Sequence, residues 1–87
     1  GGIDDIVISL SPELRNAAMS VASSLRVNGR SVDLVLEDKR LKWAFKHAER
    51  SGAQRLVMVM PEEWKDGKVK IKDLESGEEV EVSVDSL

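Results

Sequence analysis

The segment Arg55-Leu-Val-Met-Val-Met60 decides the fold of this chain. Five consecutive apolar residues occupy both faces of an extended segment, which is typical of a strand that helices cover on both sides. Pro61 follows and cannot donate to a ladder of backbone hydrogen bonds, so the strand is expected to end there. The segment is therefore predicted to be the central strand of an α/β sheet.

Two strand–helix pairs precede this strand, and a hairpin follows it. In both helices apolar residues recur every three or four positions, and Ser11-Pro12 supplies an N-cap and a first-turn proline. After Gly67, strict alternation of apolar and polar residues predicts two half-exposed strands. The predicted strands are residues 6–10, 31–36, 55–60, 68–72 and 80–84, and the predicted helices are residues 12–28 and 41–51.

This order, β-α-β-α-β-β-β, predicts three parallel strands with two right-handed crossovers, extended at one edge by an antiparallel hairpin. We therefore expect a three-layer α/β fold in which helices flank a mixed five-stranded sheet. A length of 87 residues suits one domain. We place that domain at residues 3–87 and interpret Gly1-Gly2 as a cloning remnant.

The register of the hairpin depends on whether its loop has an even or an odd number of residues. Its apolar residues must share one face, so Ile71 has to lie opposite a valine, which requires an even-numbered loop. With Ser76-Gly77 as that loop, Ile71 pairs with Val82 and Lys72 pairs with Glu81. In this register we expect Glu81 to neutralise Lys72.

Composition excludes several classes of protein. Hydrophobic residues make up 41% of the chain, enough for a core without disulfides or metals. There is no cysteine, so thiol catalysis and thiolate metal sites are excluded. The longest apolar run has five residues, against about 20 for a membrane helix, and no signal-like segment opens the chain. We therefore expect no membrane partner.

The chain also lacks the motifs of a catalytic or cofactor site. His47 is the only histidine, and neither a Gly-x-Ser-x-Gly elbow nor a glycine-rich phosphate loop occurs. Glu62 and Glu63 follow the central strand, but adjacent side chains point in different directions, which favours a solvated turn over a catalytic pair. We expect no metal, no cofactor and no catalysis from this chain alone.

Charge is unevenly distributed along the chain. The net charge is −3, yet residues 26–55 carry eight basic and four acidic side chains, whereas residues 73–87 carry six acidic and no basic ones. A basic segment in an acidic chain can form a local surface for phosphates. The alternative is that these charges only solvate a helix face.

The second helix presents cations and an aromatic ring on one face. Arg40, Trp43, His47 and Arg50 follow at helical spacing, with further lysines beside them. This combination suits single-stranded RNA, because cations hold phosphates while a planar group stacks on a splayed base. The alternative for Trp43 is a half-buried ring that packs against a neighbouring loop or domain.

Two motifs resemble the C-terminal anticodon-binding domain of histidyl-tRNA synthetases. They are Leu41-Lys42-x-x-Phe45-Lys46-x-Ala48, which ends in Ser51-Gly52-Ala53, and Gly67-x-Val-x-x-Lys72-Asp73-Leu74-x-x-Gly77. The resemblance covers nearly the whole chain and implies a mixed five-stranded sheet. It also implies recognition of the tRNA anticodon loop within a histidine-tRNA ligase, which would attach histidine to its tRNA using ATP.

By the same resemblance, the partners are the anticodon loop and the catalytic domain of a homodimeric parent enzyme, and ATP would bind that catalytic domain. A cytoplasmic location is expected, with an organelle as the alternative. Matched by position, the family's RNA-contacting residues are Glu37, Asp38, Lys39, Arg40, Trp43, Lys46, His47, Pro61, Glu62, Glu63, Lys70 and Lys72.

Two other functions remain open at this point. One is a protein-interaction or dimerisation module that has the same fold and does not bind RNA, which the acidic hairpin and the net charge favour. The other is a small flavodoxin-like ligand-binding domain, which the missing phosphate loop disfavours.

Overall fold

A computed structural model describes residues 2–87, which form a mixed five-stranded sheet with helices on both faces. The strands are β1 (Asp5–Ser9), β2 (Val32–Val35), β3 (Arg55–Val59), β4 (Lys68–Asp73) and β5 (Glu79–Ser83), and the helices are α1 (Arg15–Val27), α2 (Leu41–Ser51) and α3 (Pro61–Lys65). Gly1, the first residue of the expected cloning remnant, lies outside the described residues.

The strand order is β2-β1-β3-β4-β5. β1 is parallel to both β2 and β3, whereas β4 runs antiparallel to β3 and to β5. The predicted fold class and the central position of β3 are therefore confirmed. Within residues 2–87, no helix is long and apolar enough to cross a membrane.

The core lies in two layers, one on each face of the sheet. Alternate residues of a strand point to opposite faces. In β3, Val57 and Val59 pack with α1, whereas Leu56 and Met58 pack with α2. These four side chains are at most 1% exposed. The uninterrupted apolar run that predicted this strand is thus a consequence of burial on both faces.

The short helix α3 replaces the solvated turn that we predicted for Glu62 and Glu63. Pro61 occupies its first position, and the two acidic residues fall in its first turn. Their negative charges interact favourably there with the positive end of the helix dipole. Trp64 anchors the helix by packing against the core on the α1 side. A helix of five residues is too short to show the apolar periodicity on which the sequence prediction relied.

The hairpin register also differs from the prediction. Ile71 lies opposite Val80, two residues from the predicted Val82. The loop consists of residues 74–77 and so has an even number of residues, as parity requires. It is longer than expected because the carboxylate of Asp73 accepts hydrogen bonds of 2.9 and 3.0 Å from two backbone N–H groups of the loop.

This register changes the partners of the lysines in β4. Lys72 lies opposite Glu79, and Lys70 lies opposite Glu81. The predicted neutralisation of Lys72 by Glu81 is therefore wrong. The Lys72 ammonium group instead lies 4.5 Å from the centre of the Phe45 ring.

Candidate nucleic-acid interface

The loop between β2 and α2 brings two exposed cations to the carboxyl edge of the parallel strands. Arg40 is the N-cap residue of α2, and its side chain caps no backbone group. Lys39 precedes it and is also exposed. With Leu10, Asp38 and Leu41, these cations line a surface depression of about 430 Å³. Ligands of open α/β sheets bind at this edge.

Four side chains form a row along the flank of α2 that faces β2, in the order Lys39, Trp43, His47 and Asp33. The rings of Trp43 and His47 are stacked, with centroids 4.6 Å apart and 11° between their planes. The Nε2 atom of His47 lies 3.4 Å from a carboxylate oxygen of Asp33 in β2. The Lys39 ammonium group lies 5.1 Å from the centre of the Trp43 ring. The row therefore connects the cationic loop to α2 and to the sheet.

Trp43 is half-buried and packs against the core on the α2 face. The ring is therefore partly buried, as the packing interpretation expected, but against the core of this domain and not against another domain. Its contact with RNA stays a prediction. His47 occupies one face of the indole, so at most the other face could meet a nucleobase. Its contact with Lys39 makes Trp43 a support for the loop. Lys46 stands apart from the row, exposed on the outer surface of α2.

The remaining predicted residues follow β3 or lie in β4. Pro61 and Glu62 are exposed at the start of α3. The Glu63 carboxylate lies 3.9 Å from the ammonium group of Lys70. Lys70 and Lys72 are half-buried on the same face of β4. The predicted site residues therefore fall into a first group, which follows β2 and continues onto the flank of α2 that faces β2, and a second group, which follows β3 and continues into β4. The loop residues of the first group are the more exposed.

Ser9 and Arg15 adjoin the first group, although the sequence analysis did not single them out. Ser9 ends β1, Arg15 begins α1, and both line a cleft together with Glu37 and Asp38. The position of Ser9 at the carboxyl end of a parallel strand is the signal that could have identified it.

A charged cluster lies at the opposite, amino end of the sheet. Asp5 is fully buried and accepts two hydrogen bonds each from Arg30 and Arg55. Burial by itself raises the pKa of Asp5, but the hydrogen bonds and charges of Arg55 and Arg30 outweigh it and hold that pKa below its usual value. This cluster ties β1 to β3 and to the segment before β2. Across residues 2–87, no three acidic or histidine side chains converge as a metal site would need.

Comparison with known proteins identifies the family. The sequence model described as "Anticodon binding domain" matches residues 5–87. The chain is 49% identical over 85 residues to a chloroplastic/mitochondrial histidine–tRNA ligase of Arabidopsis thaliana, and 34% identical over 86 residues to a histidine–tRNA ligase of Thermoanaerobacter pseudethanolicus. These matches cover 98% and 99% of the chain but only 18% and 21% of the two relatives.

The fold agrees with this match. A crystal structure of histidyl-tRNA synthetase from Nostoc sp. PCC 7120 superposes with a TM-score of 0.94 at 30% sequence identity. The superposition covers all of this chain and 21% of the Nostoc chain. Sequence and structure thus lead to the same assignment, and the chain belongs to the anticodon-binding domain family.

Proposed function

We propose that this chain recognises the anticodon of a histidine tRNA and forms part of a histidine-tRNA ligase, which attaches histidine to that tRNA using ATP. The observation that carries the proposal is the exposed pair Lys39 and Arg40 at the carboxyl edge of the sheet, in a family of anticodon-binding domains. Exposed cations at a ligand-binding edge suit the phosphates of a tRNA loop.

Of the residues matched to the family's contact positions, the first group has the geometry best suited to RNA. Lys39 and Arg40 are exposed, and Trp43 and His47 hold the loop that carries them. Lys70 is close to Glu63, which reduces the charge that it offers to a phosphate. We therefore propose that the loop after β2 makes the strongest phosphate contacts and that the second group contributes less.

The named relatives support a proposal about the partners of the whole protein. This chain spans about a fifth of their length, so the catalytic domain that binds ATP and histidine would lie elsewhere in the protein. We propose that the parent enzyme is a homodimer and that this domain itself binds no cofactor. The relatives named above are ligases that act on tRNA, so a module that does not bind RNA gains no support from them.

The compartment is part of the same proposal. The Arabidopsis relative is named as chloroplastic/mitochondrial, which supports an organellar location more than the expected cytoplasmic one. Fluorescence microscopy of the full-length protein fused to a fluorescent reporter would show whether the protein enters an organelle or stays in the cytoplasm.

Titration of the isotope-labelled chain with an anticodon stem-loop carrying GUG tests the proposal. A stem-loop of equal length with a scrambled loop is the matched control. We expect GUG to bind more tightly and to shift the amide signals of Lys39 and Arg40 and the indole signal of Trp43. Equal binding of the two loops, or shifts confined to β5, would contradict the proposal.

A further inference from the structure

The strand β5 forms one edge of the sheet and has a partner strand on one side only. It is the last strand in the order β2-β1-β3-β4-β5, so it pairs with β4 alone. Just beyond β5, the N–H group of Val84 donates over 2.9 Å to the carbonyl group of Gly67, which precedes β4. The backbone groups of successive residues in a strand point to opposite sides. Glu79, Glu81 and Ser83 therefore direct their N–H groups away from β4.

These outward N–H groups of β5 donate to no other group within residues 2–87. The opposite edge strand, β2, differs, because the guanidinium group of Arg26 donates to the carbonyl oxygen of Val32 over 2.9 Å. β5 also contains no proline and no residue with a positive φ. An edge strand with free backbone groups is a template on which another extended chain can pair. The backbone of β5 is therefore open to a further strand.

The side chains of β5 alternate between acidic and apolar residues. Val82 packs against the core on the α1 side, whereas Val80 on the same face is 52% exposed. Glu79 and Glu81 lie on the other face and are also exposed. A strand that fits the open edge therefore needs cationic residues beside the glutamates and an apolar residue beside Val80.

β4 does not neutralise the glutamates of β5. The lysines opposite Glu79 and Glu81 form no ion pair with them among residues 2–87. The ammonium group of Lys70 lies 3.9 Å from the carboxylate of Glu63 instead, and that of Lys72 lies 4.5 Å from the centre of an aromatic ring of α2. Both carboxylates of β5 are therefore available to cations on the open side.

β4 shows which sequence pattern suits β5. Residues 68–72 read Lys-Val-Lys-Ile-Lys. Two of these lysines lie opposite Glu79 and Glu81, and the isoleucine lies opposite Val80. Opposite charges and aliphatic side chains that face each other across two strands stabilise a sheet. A second strand with the same alternation would meet the same three side chains from the open side.

Neither a second copy of β5 nor RNA suits this edge. Two paired β5 strands would bring their glutamates together on one face, and like charges opposite each other destabilise a sheet. Residues 73–87 carry six acidic and no basic side chains, which repel the phosphates of RNA. We propose that β5 binds an extended segment of a partner protein as a sixth strand, and that cationic and apolar residues alternate in this segment. The inference does not rest on the proposed function, because the cations proposed to contact RNA lie outside β5.

A peptide with the sequence of residues 67–72, Gly-Lys-Val-Lys-Ile-Lys, is the probe. The control peptide, Gly-Lys-Lys-Lys-Val-Ile, has the same composition and charge but no alternation. Hydrogen exchange of the isotope-labelled chain, followed by NMR, is the readout. At saturation we expect the probe alone to slow exchange of the N–H groups of Glu79, Glu81 and Ser83, because they acquire acceptors. Equal effects of the two peptides, or no slowing at these three groups, would overturn the proposal.

Two substitutions at Ser83 test the backbone contact. The φ of Ser83 is −62°, which proline adopts, and its N–H group points outward, so Ser83→Pro removes a donor only from the open edge. Ser83→Ala is the matched control, because both variants lose the hydroxyl group that accepts from the N–H group of Asp85 over 3.3 Å. We expect Ser83→Pro to bind the probe about fivefold more weakly than Ser83→Ala, as for the loss of one hydrogen bond. Equal affinity of the two folded variants would overturn the proposal.

A pair of double variants tests the charge contact. Glu79→Gln combined with Glu81→Gln should reduce the preference for the probe over the control peptide to nearly one. Glu75→Gln combined with Glu78→Gln removes the same charge from exposed positions just before β5 and should retain the preference. The ratio of the two affinities is diagnostic, because removing any negative charge weakens the binding of both cationic peptides. Full retention of the preference in the first double variant would overturn the proposal.

Discussion

The imidazole ring of His47 lies parallel to the indole ring of Trp43, with 4.6 Å between the centroids. Both residues are half-buried, and Trp43 also contacts the core on the α2 face. The stack therefore holds the indole in one orientation beside Lys39. We therefore expect Trp43 to affect RNA binding through the loop that it supports more than through its own exposed surface.

Trp43→Ala should lower the free energy of unfolding by about 2–3 kcal/mol. Replacing a fully buried aromatic residue by alanine costs about 3–5 kcal/mol, and Trp43 is only half-buried. Trp43→Phe should recover most of this loss, since a ring can still stack on His47. Urea denaturation measures both variants. Lys46→Ala on the exposed surface of α2 is the control and should stay within about 0.5 kcal/mol of the wild type. A Trp43→Ala chain as stable as the wild type would show that the indole does not anchor α2.

Arg40→Ala should weaken binding of the GUG stem-loop by about 1–3 kcal/mol, the range for one good charged or stacking contact. Its unfolding free energy should change by less than about 0.5 kcal/mol, because the side chain is exposed. Arg50→Ala is the matched control, since Arg50 is equally exposed in the last turn of the same helix, far from the carboxyl edge. If both variants bind RNA as the wild type does, the contact surface lies away from α2.

Binding of the stem-loop should depend strongly on salt. The exposed cations of α1, of the loop after β2 and of α2 can together meet about four or five phosphates; they are Arg15, Lys39, Arg40, Lys42 and Lys46. Each neutralised phosphate of a single strand contributes about 0.7 to the magnitude of the slope of log affinity against log salt. We therefore expect a slope of about −3, measured by fluorescence anisotropy between roughly 50 and 200 mM salt. Affinity that stays constant over this range would favour a partner other than RNA.

The fold could be predicted from the sequence wherever burial imposed a recognisable pattern of apolar residues. β3 is covered on both faces, so its apolar run identified it. The helix α2 ends at Ser51 as predicted, just before Gly52, whose φ of 70° suits glycine. The hairpin register could not be predicted fully. The pleat of the strands requires a loop with an even number of residues. The actual length of the loop depends on the backbone N–H groups from which Asp73 accepts hydrogen bonds, and the alternation of apolar and polar residues does not reveal these.

The candidate site was predicted less completely, because its geometry depends on elements that are distant in sequence. Spacing along α2 placed Trp43 and His47 on one face, and the structure stacks them. Nothing in the sequence indicated that Asp33 would meet His47, or that Ser9 and Asp38 would share a cleft. Such contacts form only after β1 and β2 pair, so they require the register of the sheet.

Asp5→Asn should be the most destabilising conservative change at the amino end of the sheet. It leaves Arg30 and Arg55 without a shared anion. Breaking a fully buried ion pair costs about 3–5 kcal/mol. Because the two arginine side chains are 31% and 26% exposed, we expect a smaller loss of about 2–4 kcal/mol at neutral pH. Asp66→Asn at an exposed position is the control and should change stability by less than about 0.5 kcal/mol.

The difference in stability between the wild type and Asp5→Asn should depend on pH in a defined way. Since Arg55 and Arg30 hold the pKa of Asp5 below its usual value despite burial, the folded state binds this proton less readily than the unfolded state does. The stability that Asp5 contributes is then fully present above about pH 4, the pKa of an unperturbed aspartate, and is lost as the pH falls further through the lowered pKa. The difference in unfolding free energy between wild type and Asp5→Asn should therefore be constant from neutral pH to about pH 5 and should narrow below about pH 4. If that difference instead narrowed between pH 7 and pH 5, the carboxylate would be protonating with a raised pKa, and the arginines would not be outweighing its burial.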